Sequence, residues 1–122
     1  MNQAAKNYFR LYPLPSKHLS LPIDRVFNRE EMDLIKKGLI PRSMDDRWYV
    51  YFEDSKLYWH RSWTGYCCFV ANFKEQHDGT ADLFELLASR DEQQYGNTND
   101  AEDVRLLNSL IDELLLSTPY HY

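Results

Sequence analysis

Four short runs between residues 47 and 89 are rich in aromatic and other bulky apolar residues and follow a period of two. They read RWYVYFED, KLYWHRSW, GYCCFVANF and TADLFELLAS, and turn-forming residues separate them. Aromatic and β-branched residues at this period are typical of β-strands, and short connections are typical of antiparallel neighbours. The runs therefore predict a four-stranded antiparallel β-meander.

The turn between the first two runs predicts how their side chains pair. If residues 54 and 55 form a two-residue turn, Tyr49 lies opposite His60. A second tight turn at Thr64 and Gly65 would preserve the alternation into the third run. One face then carries Trp48, Val50, Phe52, Leu57, Trp59, Arg61, Trp63, Tyr66, Cys68 and Val70. The other carries Tyr49, Tyr51, Glu53, Tyr58, His60, Ser62, Cys67, Phe69, Ala71 and Phe73. Since neither face is polar, helices, the N-terminal arm or a partner subunit are expected to cover both.

Two capping boxes predict two helices. In FNREEMDLIKKGLIP, Asn28 and Glu31 form a capping box that opens a short helix of about residues 29–37. Asn99 opens a second, longer helix of about residues 100–116. The apolar stripe of this helix consists of Val104, Leu107, Ile111 and Leu114, widened by Leu106, Leu110 and Leu115. Together with the sheet, these helices predict an α+β fold.

The chain of 122 residues is expected to form a single domain with one core. Residues 1–26 contain three prolines and predict an extended N-terminal arm. Residues 27–116 form the predicted α+β body, and residues 117–122 form a short tail.

Charge and hydropathy exclude several classes of protein. The net charge of -5 argues against general nucleic-acid binding, which needs clustered Lys and Arg. No apolar run approaches the roughly 18 residues of a membrane span, and the first residues lack the apolar core of a signal peptide. We therefore expect a cytoplasmic protein without membrane association, in which Cys67 and Cys68 are reduced.

One candidate site lies on the face of the predicted sheet that carries His60. The imidazole and Ser62 share it with Tyr49, Tyr51 and Tyr58, and imidazoles among hydroxyls bind polar ligands or transfer protons. The alternative is a half-buried histidine satisfied by a tyrosine hydroxyl across the sheet. A Ser-His-acid triad is not indicated, because side chains two apart on a strand diverge and no nucleophile elbow surrounds Ser62. We assign no catalytic residue.

The second candidate is Arg61, whose face is otherwise aromatic and aliphatic. Its guanidinium would hold a phosphate or carboxylate in a bidentate fork while Trp59 or Trp63 stacks on a flat ring. Alternatively, it is held between Trp48 and Trp63 by cation–π contacts, or it pairs with a carboxylate. The two interpretations differ only in whether the guanidinium keeps free donors.

The tetrapeptide from Ser62 to Gly65 has hydroxyls that either donate to an anion or only form the turn. The sequence has no paired cysteine or histidine spacing typical of metal ligands, so neither a metal nor a cofactor is predicted.

The segment MDDRWYVYFEDSKLYWHRSWTG, with NTNDAEDVRLLNSLIDELL downstream, resembles a family of small, uncharacterised, mostly bacterial proteins. Their pattern is Trp-aromatic-x-aromatic-x-Glu, then Leu-Tyr-x-His-Arg-Ser-Trp-Thr-Gly. The resemblance covers about residues 27–116, and residues 60–65 are its most specific part. Similar segments occur beside or fused to ADP-ribose-processing modules, so the resemblance implies a nucleotide-like ligand. The chain departs from the pattern at Ser55 and Lys56, where a glycine and a bulky residue are expected.

Two hypotheses for the function follow. The first is a non-enzymatic binding module that forms a dimer or binds a protein partner through the aromatic sheet and residues 60–65. The second is a ligand-binding protein or small hydrolase for a phosphorylated or nucleotide-like molecule, with His60 or Glu53 carrying the proton. The candidate binding residues are His60, Arg61, Ser62, Trp63, Thr64, Gly65, Tyr49, Tyr58 and Glu53.

Overall fold

The computed structural model describes residues 11–43, 45–93, 95 and 99–117, so most of the predicted tail lies outside the described residues. Five strands form one antiparallel sheet in the order β1-β5-β4-β3-β2. The strands are β1 (His18–Phe27), β2 (Trp48–Glu53), β3 (Lys56–Arg61), β4 (Cys67–Glu75) and β5 (Ala81–Ser89). The helices are α1 (Arg29–Lys37) and α2 (Asp100–Leu110), and α2 continues into a π-helix (Ile111–Leu116). The α+β class with an antiparallel sheet is confirmed.

The β2–β3 hairpin has the predicted register. Asp54 and Ser55 form its two-residue turn with φ values of 55° and 61°, as a type I′ turn requires. Tyr49 lies opposite His60 and Trp48 opposite Arg61. His60 and Arg61 are adjacent in β3, so their side chains point to opposite faces of the sheet.

The predicted number of four strands is wrong, because part of the predicted arm forms a fifth strand. Residues His18–Phe27 are β1, which pairs with β5 along its length, as between Leu21 and Leu86. Pro22 argues against a central strand, but β1 lies at the edge, where a missing N–H is tolerated. The pairing also shifts between Pro22 and Arg25. Only residues 11–17 of the described arm have no regular structure, and they are called the arm segment below.

The predicted tight turn at Thr64 and Gly65 is also wrong. The backbone N–H of Arg61 donates to Tyr66 (2.9 Å), so β3 and β4 are joined by a four-residue loop, residues 62–65, called the tip loop below. Beyond it the register shifts, because His60 pairs with Cys67 whereas Trp59 pairs with Phe69. This bulge moves three side chains of β4 from their predicted face into the core beside Trp59, namely Phe69, Ala71 and Phe73.

Helix α1 begins with both hydrogen bonds of a capping box. The side chain of Asn28 accepts from the N–H of Glu31 (2.8 Å), and the carboxylate of Glu31 accepts from the N–H of Asn28 (2.9 Å). Gly38 follows the helix with a φ of 66°, a conformation that favours glycine. Met32 and Ile35 are the buried residues of α1 and face the core.

Helix α2 is capped by Asn99, whose side chain accepts from the N–H of Glu102 (3.0 Å). Leu107, Ile111 and Leu115 are buried at intervals of four residues. Leu114 was expected on this stripe, but it is 39% exposed. The reason is that the chain widens into a π-helix at Ile111, which changes the angular position of the residues that follow.

A buried carboxylate connects α2 to the end of the sheet. Asp103 is fully buried and accepts a hydrogen bond from the Tyr95 hydroxyl (2.6 Å). Its second oxygen lies 2.8 Å from a guanidinium nitrogen of Arg90, which directly follows β5. The same guanidinium donates to Asp100 (2.7 Å) and to the carbonyl of Ser89 (2.9 Å). Arg90 is therefore held by several acceptors at once.

Both helices cover the same face of the sheet. Met32 and Ile35 of α1 and Leu107 of α2 belong to one core with Trp48 and Trp59. A smaller cluster lies on the opposite face, where Leu11 and Ile40 pack against tyrosines. This side is called the tyrosine face below and carries Tyr49, Tyr51, Tyr58, His60 and Cys67. Within the described ranges, no helix is long and apolar enough to cross a membrane.

Candidate functional site

The predicted site residues lie on two sides of the sheet. Tyr49, Tyr58 and His60 belong to the tyrosine face. Arg61 lies against Trp48 on the face that the helices cover. A single pocket therefore does not bring the side chains of His60 and Arg61 together, and each is described separately.

His60 is a buried, neutral histidine. Its side chain is 2% exposed, and its Nδ1 donates to the carbonyl of Gly65 (2.9 Å). Because a carbonyl only accepts, this bond places the proton on Nδ1 and leaves a lone pair on Nε2. Nε2 has no hydrogen-bond partner among the described residues. Burial lowers the pKa of His60 below its ordinary value of 6.5, although the bond to Gly65 opposes this shift.

Stacked rings surround the imidazole of His60. It stacks on Tyr51 at 5.6 Å between centroids, and Tyr51 stacks in turn on Tyr58 at 4.5 Å. Burial, followed by the charge of neighbouring groups, raises the pKa of both tyrosines. The thiol of Cys67 has its pKa raised to about 12, chiefly by burial. These groups are thus uncharged near neutral pH, and the expected bond from a tyrosine hydroxyl to Nε2 is not formed in the described part of the chain.

The tip loop is held by hydrogen bonds to the residues that flank it and to the segment that precedes β2. The Ser62 hydroxyl donates to the carbonyl of Asp46 (2.7 Å), and the Thr64 hydroxyl accepts from the N–H of Tyr66 (3.2 Å). The Gly65 N–H donates to the carbonyl of Arg61 (2.8 Å). These bonds agree with the interpretation that the hydroxyls form the turn.

Two of the remaining candidates are solvent-exposed. Trp63, at the tip loop, is 70% exposed although it is a large aromatic residue. Glu53 is exposed at the far end of β2 and lies opposite Lys56. Glu53 and His60, the two alternative proton carriers, therefore lie at different ends of the hairpin.

Arg61 lies over the indole of Trp48. The guanidinium carbon is 5.3 Å from the ring centroid, within cation–π distance. Trp48 is itself fixed, because it packs edge-to-face on Trp59 (5.8 Å) and stacks on Phe69 (6.1 Å). Among the residues that the structure describes, none forms a hydrogen bond or ion pair with the half-buried guanidinium. Arg61 thus combines a rigid aromatic support with free donors.

Arg25 provides an internal comparison. Its guanidinium also lies over an aromatic ring, 4.6 Å from the centroid of Phe27. Unlike Arg61, it donates to Asn108 (3.1 Å) and to Asp112 (2.5 Å) of the C-terminal helical segment. Arg25 therefore has a structural role that accounts for its charge, whereas the guanidinium of Arg61 has only the ring contact among the residues that the structure describes.

The site residues do not form a metal centre in the part of the chain that the structure covers, where no three His, Cys, Asp or Glu side chains are grouped closely enough. Cys67 and Cys68 are both buried thiols, and burial raises the pKa of each to about 12. Such thiols are poor nucleophiles and poor ligands near neutral pH.

Sequence reasoning did not identify Tyr12, which belongs to the arm segment. Its backbone N–H donates to the carbonyl of Gly65 (3.0 Å), the same oxygen that accepts from His60. Its ring also contacts Tyr66 (5.6 Å between centroids). No local signal predicts this contact, because it depends on the path that the arm segment takes across the molecule.

Comparison of the chain with protein-family models, with curated proteins and with solved structures finds no match. The resemblance of residues 60–65 to a family signature therefore stays a prediction, and the function has to be inferred from the residues themselves.

Proposed function

We propose that the chain is a non-enzymatic binding module whose ligand site is centred on Arg61. The observation that carries this proposal is the guanidinium of Arg61 on the ring of Trp48, which no described residue pairs, in contrast to Arg25, which is bonded to Asn108 and Asp112. An arginine with free donors on a fixed aromatic support is a means of recognising planar anionic groups. The separation of His60 from Arg61 favours binding over acid–base catalysis at this site.

The ligand class follows from the chemistry of two side chains. The guanidinium fork of Arg61 matches a phosphate or a carboxylate, because its parallel N–H groups form two hydrogen bonds to such an anion. The exposed indole of Trp63 offers a surface on which a flat ring can stack. A small phosphorylated molecule with a planar ring, such as a nucleotide, combines both features and is the preferred ligand.

Calorimetric titration with inorganic phosphate, AMP and ADP-ribose tests this proposal. We expect Arg61→Ala to weaken the binding of the phosphorylated probes at least tenfold, since charge-assisted hydrogen bonds contribute about 1.5–3 kcal/mol. Trp63→Ala should weaken AMP and ADP-ribose but not inorganic phosphate, which has no ring to stack. Arg47→Ala is the matched control, because it removes an exposed arginine next to Trp48 and leaves Arg61 in place.

The outcomes separate ligand binding from packing. Arg61→Lys keeps the charge but removes the planar fork, so it should lose affinity while the free energy of unfolding changes by no more than about 1 kcal/mol. If Arg47→Ala loses as much affinity as Arg61→Ala, the probes respond to the overall positive charge of this surface and not to a site at Arg61. Absence of binding by the wild-type protein to every probe would overturn the ligand class.

Self-association is a separate part of the proposal. Val26 and Phe84 are large apolar side chains that are 64% and 52% exposed, and interfaces between subunits use such residues. We expect sedimentation velocity to detect a dimer at micromolar concentration. A monomer throughout that range would remove self-association and leave the Arg61 site unaffected.

A further inference from the structure

The carbonyl of Gly65 connects three segments of the chain. It accepts from the Nδ1 of His60 in β3 (2.9 Å) and from the N–H of Tyr12 in the arm segment (3.0 Å). Gly65 itself ends the tip loop, and its own N–H is bonded to Arg61 (2.8 Å). The position of the arm segment is thus coupled to a buried histidine through one oxygen atom.

The environment of His60 does not accommodate a second proton. A protonated imidazole needs an acceptor for Nε2, and none is present among the described residues. The titratable groups that share the tyrosine face with His60 in the described part of the chain are Tyr49, Tyr51, Tyr58 and the thiol of Cys67. Glu53 is the acidic residue of β2 on this face, but it lies beyond Tyr51 at the far end of the strand. No carboxylate contributes to the shift of the His60 pKa, whose causes are burial and the bond to Gly65.

Among the described residues, two segments pack on the tyrosine face, and they are held differently. Ile40 follows Leu39, which exchanges two backbone hydrogen bonds of 2.9 Å with Val50. Leu11 lies in the arm segment, where the N–H of Tyr12 donates to Gly65 (3.0 Å) and, at the opposite end, the carbonyl of Lys17 accepts from the N–H of Arg90 (2.8 Å). Next to Leu11 one backbone bond and the Tyr12–Tyr66 ring contact hold the described arm, whereas two backbone bonds hold Leu39 beside Ile40. Regions with few contacts open most readily.

We propose that His60 is a proton-sensitive contact that releases the arm segment from the tyrosine face in mild acid. Water would then reach Nε2 without unfolding of the sheet. This inference rests on the contacts of Gly65 and is independent of the proposed ligand site. Because the pKa of His60 is lower in the closed form than in an open, hydrated form, the closed form is favoured above the ordinary value of 6.5. As the pH falls from there towards the lower pKa, the opening equilibrium rises by up to about tenfold per pH unit.

Amide hydrogen exchange measured by NMR on the full chain tests this inference. The protection factor of the Tyr12 amide is compared at about pH 7.5 and about pH 5.5, on either side of the ordinary histidine pKa. We expect protection to fall at least fivefold at the lower pH, whereas the Leu39 amide, bonded to Val50, keeps its protection. The midpoint of the Tyr12 change should match the midpoint of the His60 ring resonances.

Two variants distinguish His60 from other histidines. His60→Asn keeps an N–H donor near the position of Nδ1 but does not titrate, so its Tyr12 protection should not depend on pH. His18→Gln is the matched control, because His18 is exposed but bonds to the carbonyl of Pro15 in the arm segment (2.6 Å). This variant should retain the pH dependence.

Three results would overturn the inference. The first is Tyr12 protection that stays constant down to about pH 5.5 in the wild-type protein. The second is equal loss of protection at Leu39, which would indicate global unfolding. The third is evidence that another group titrates, given either by loss of the pH dependence in His18→Gln or by a midpoint that differs from that of the His60 ring. The ring comparison uses the wild-type protein and stays decisive if His60→Asn does not fold.

Discussion

Replacement of Asp103 by asparagine removes one charge from the buried connection between α2 and the sheet. The two side chains have the same shape, so the variant changes electrostatics with little change in packing. In the wild-type protein the carboxylate accepts from Tyr95 (2.6 Å) and lies 2.8 Å from Arg90. The introduced amide would supply one oxygen where the carboxylate supplies two, so Arg90 or Tyr95 loses its acceptor.

The expected magnitude follows from burial. Removing one partner of a buried ion pair costs about 3–5 kcal/mol, because the other charge stays buried without compensation. Here Arg90 keeps Asp100 and the carbonyl of Ser89 as acceptors, so we expect about 2–4 kcal/mol. Asp100→Asn removes the other carboxylate of the same guanidinium, but Asp100 is 58% exposed. The cost of that control should be at most about 1 kcal/mol.

Urea unfolding followed by tryptophan fluorescence measures both free energies of unfolding. The difference between Asp103→Asn and Asp100→Asn is the informative quantity, since each variant loses one formal charge near Arg90. A cost of Asp103→Asn no larger than that of Asp100→Asn would refute the inference that the buried carboxylate fastens α2. Tyr95→Phe, which removes only the hydroxyl bond to Asp103, should lie between the two.

Three further outcomes are expected. Asp54→Ala should lower the free energy of unfolding by about 1 kcal/mol, because a φ of 55° is unfavourable for alanine and better tolerated by aspartate; an unchanged melting midpoint would contradict this. The thiols of Cys67 and Cys68, with pKa values of about 12, should react with Ellman's reagent only after denaturation, and rapid reaction of the native protein would contradict their burial. Hydrogen bonds from Lys36 (2.7 Å) and Ser55 (2.6 Å) lower the pKa of Glu75 below its ordinary value of 4.5. The stability that Glu75 contributes is therefore present above pH 4.5 and is lost as the pH falls through the lower pKa. Glu75→Gln should cost about 0.5–1 kcal/mol at neutral pH and nothing in strong acid, and a difference that persists in acid would refute the ion-pair assignment.

Features that depend on near neighbours in the chain could be predicted from the sequence. The capping box of Asn28 and Glu31 involves residues three apart, so its signal is complete in a short window. The register of β2 and β3 follows from the two-residue turn at Asp54. In both cases the contact and the signal for the contact lie in the same few residues.

Features that depend on distant contacts could not be predicted. Strand β1 pairs with β5, and Pro22 is read locally as a residue that breaks strands. The bulge beside Trp59 leaves no compositional signal, yet it decides which face Phe69 occupies. The candidate site could not be predicted for the same reason. The sequence places Arg61 among aromatic residues, but only the fold shows that no described residue pairs with its guanidinium, whereas Arg25 is bonded to Asn108 and Asp112.

The pairing of β1 with β5 also has a consequence for how the protein is made. During synthesis β1 leaves the ribosome before the other strands, but its partner β5 is among the last to emerge. The β2–β3 and β3–β4 hairpins can form while the nascent chain is still growing, because their contacts are local. β1 must stay unpaired throughout this time, and unpaired strands bind other chains. Pro22 lies within β1 and has no backbone N–H, so it cannot donate a hydrogen bond to another chain while β1 is unpaired.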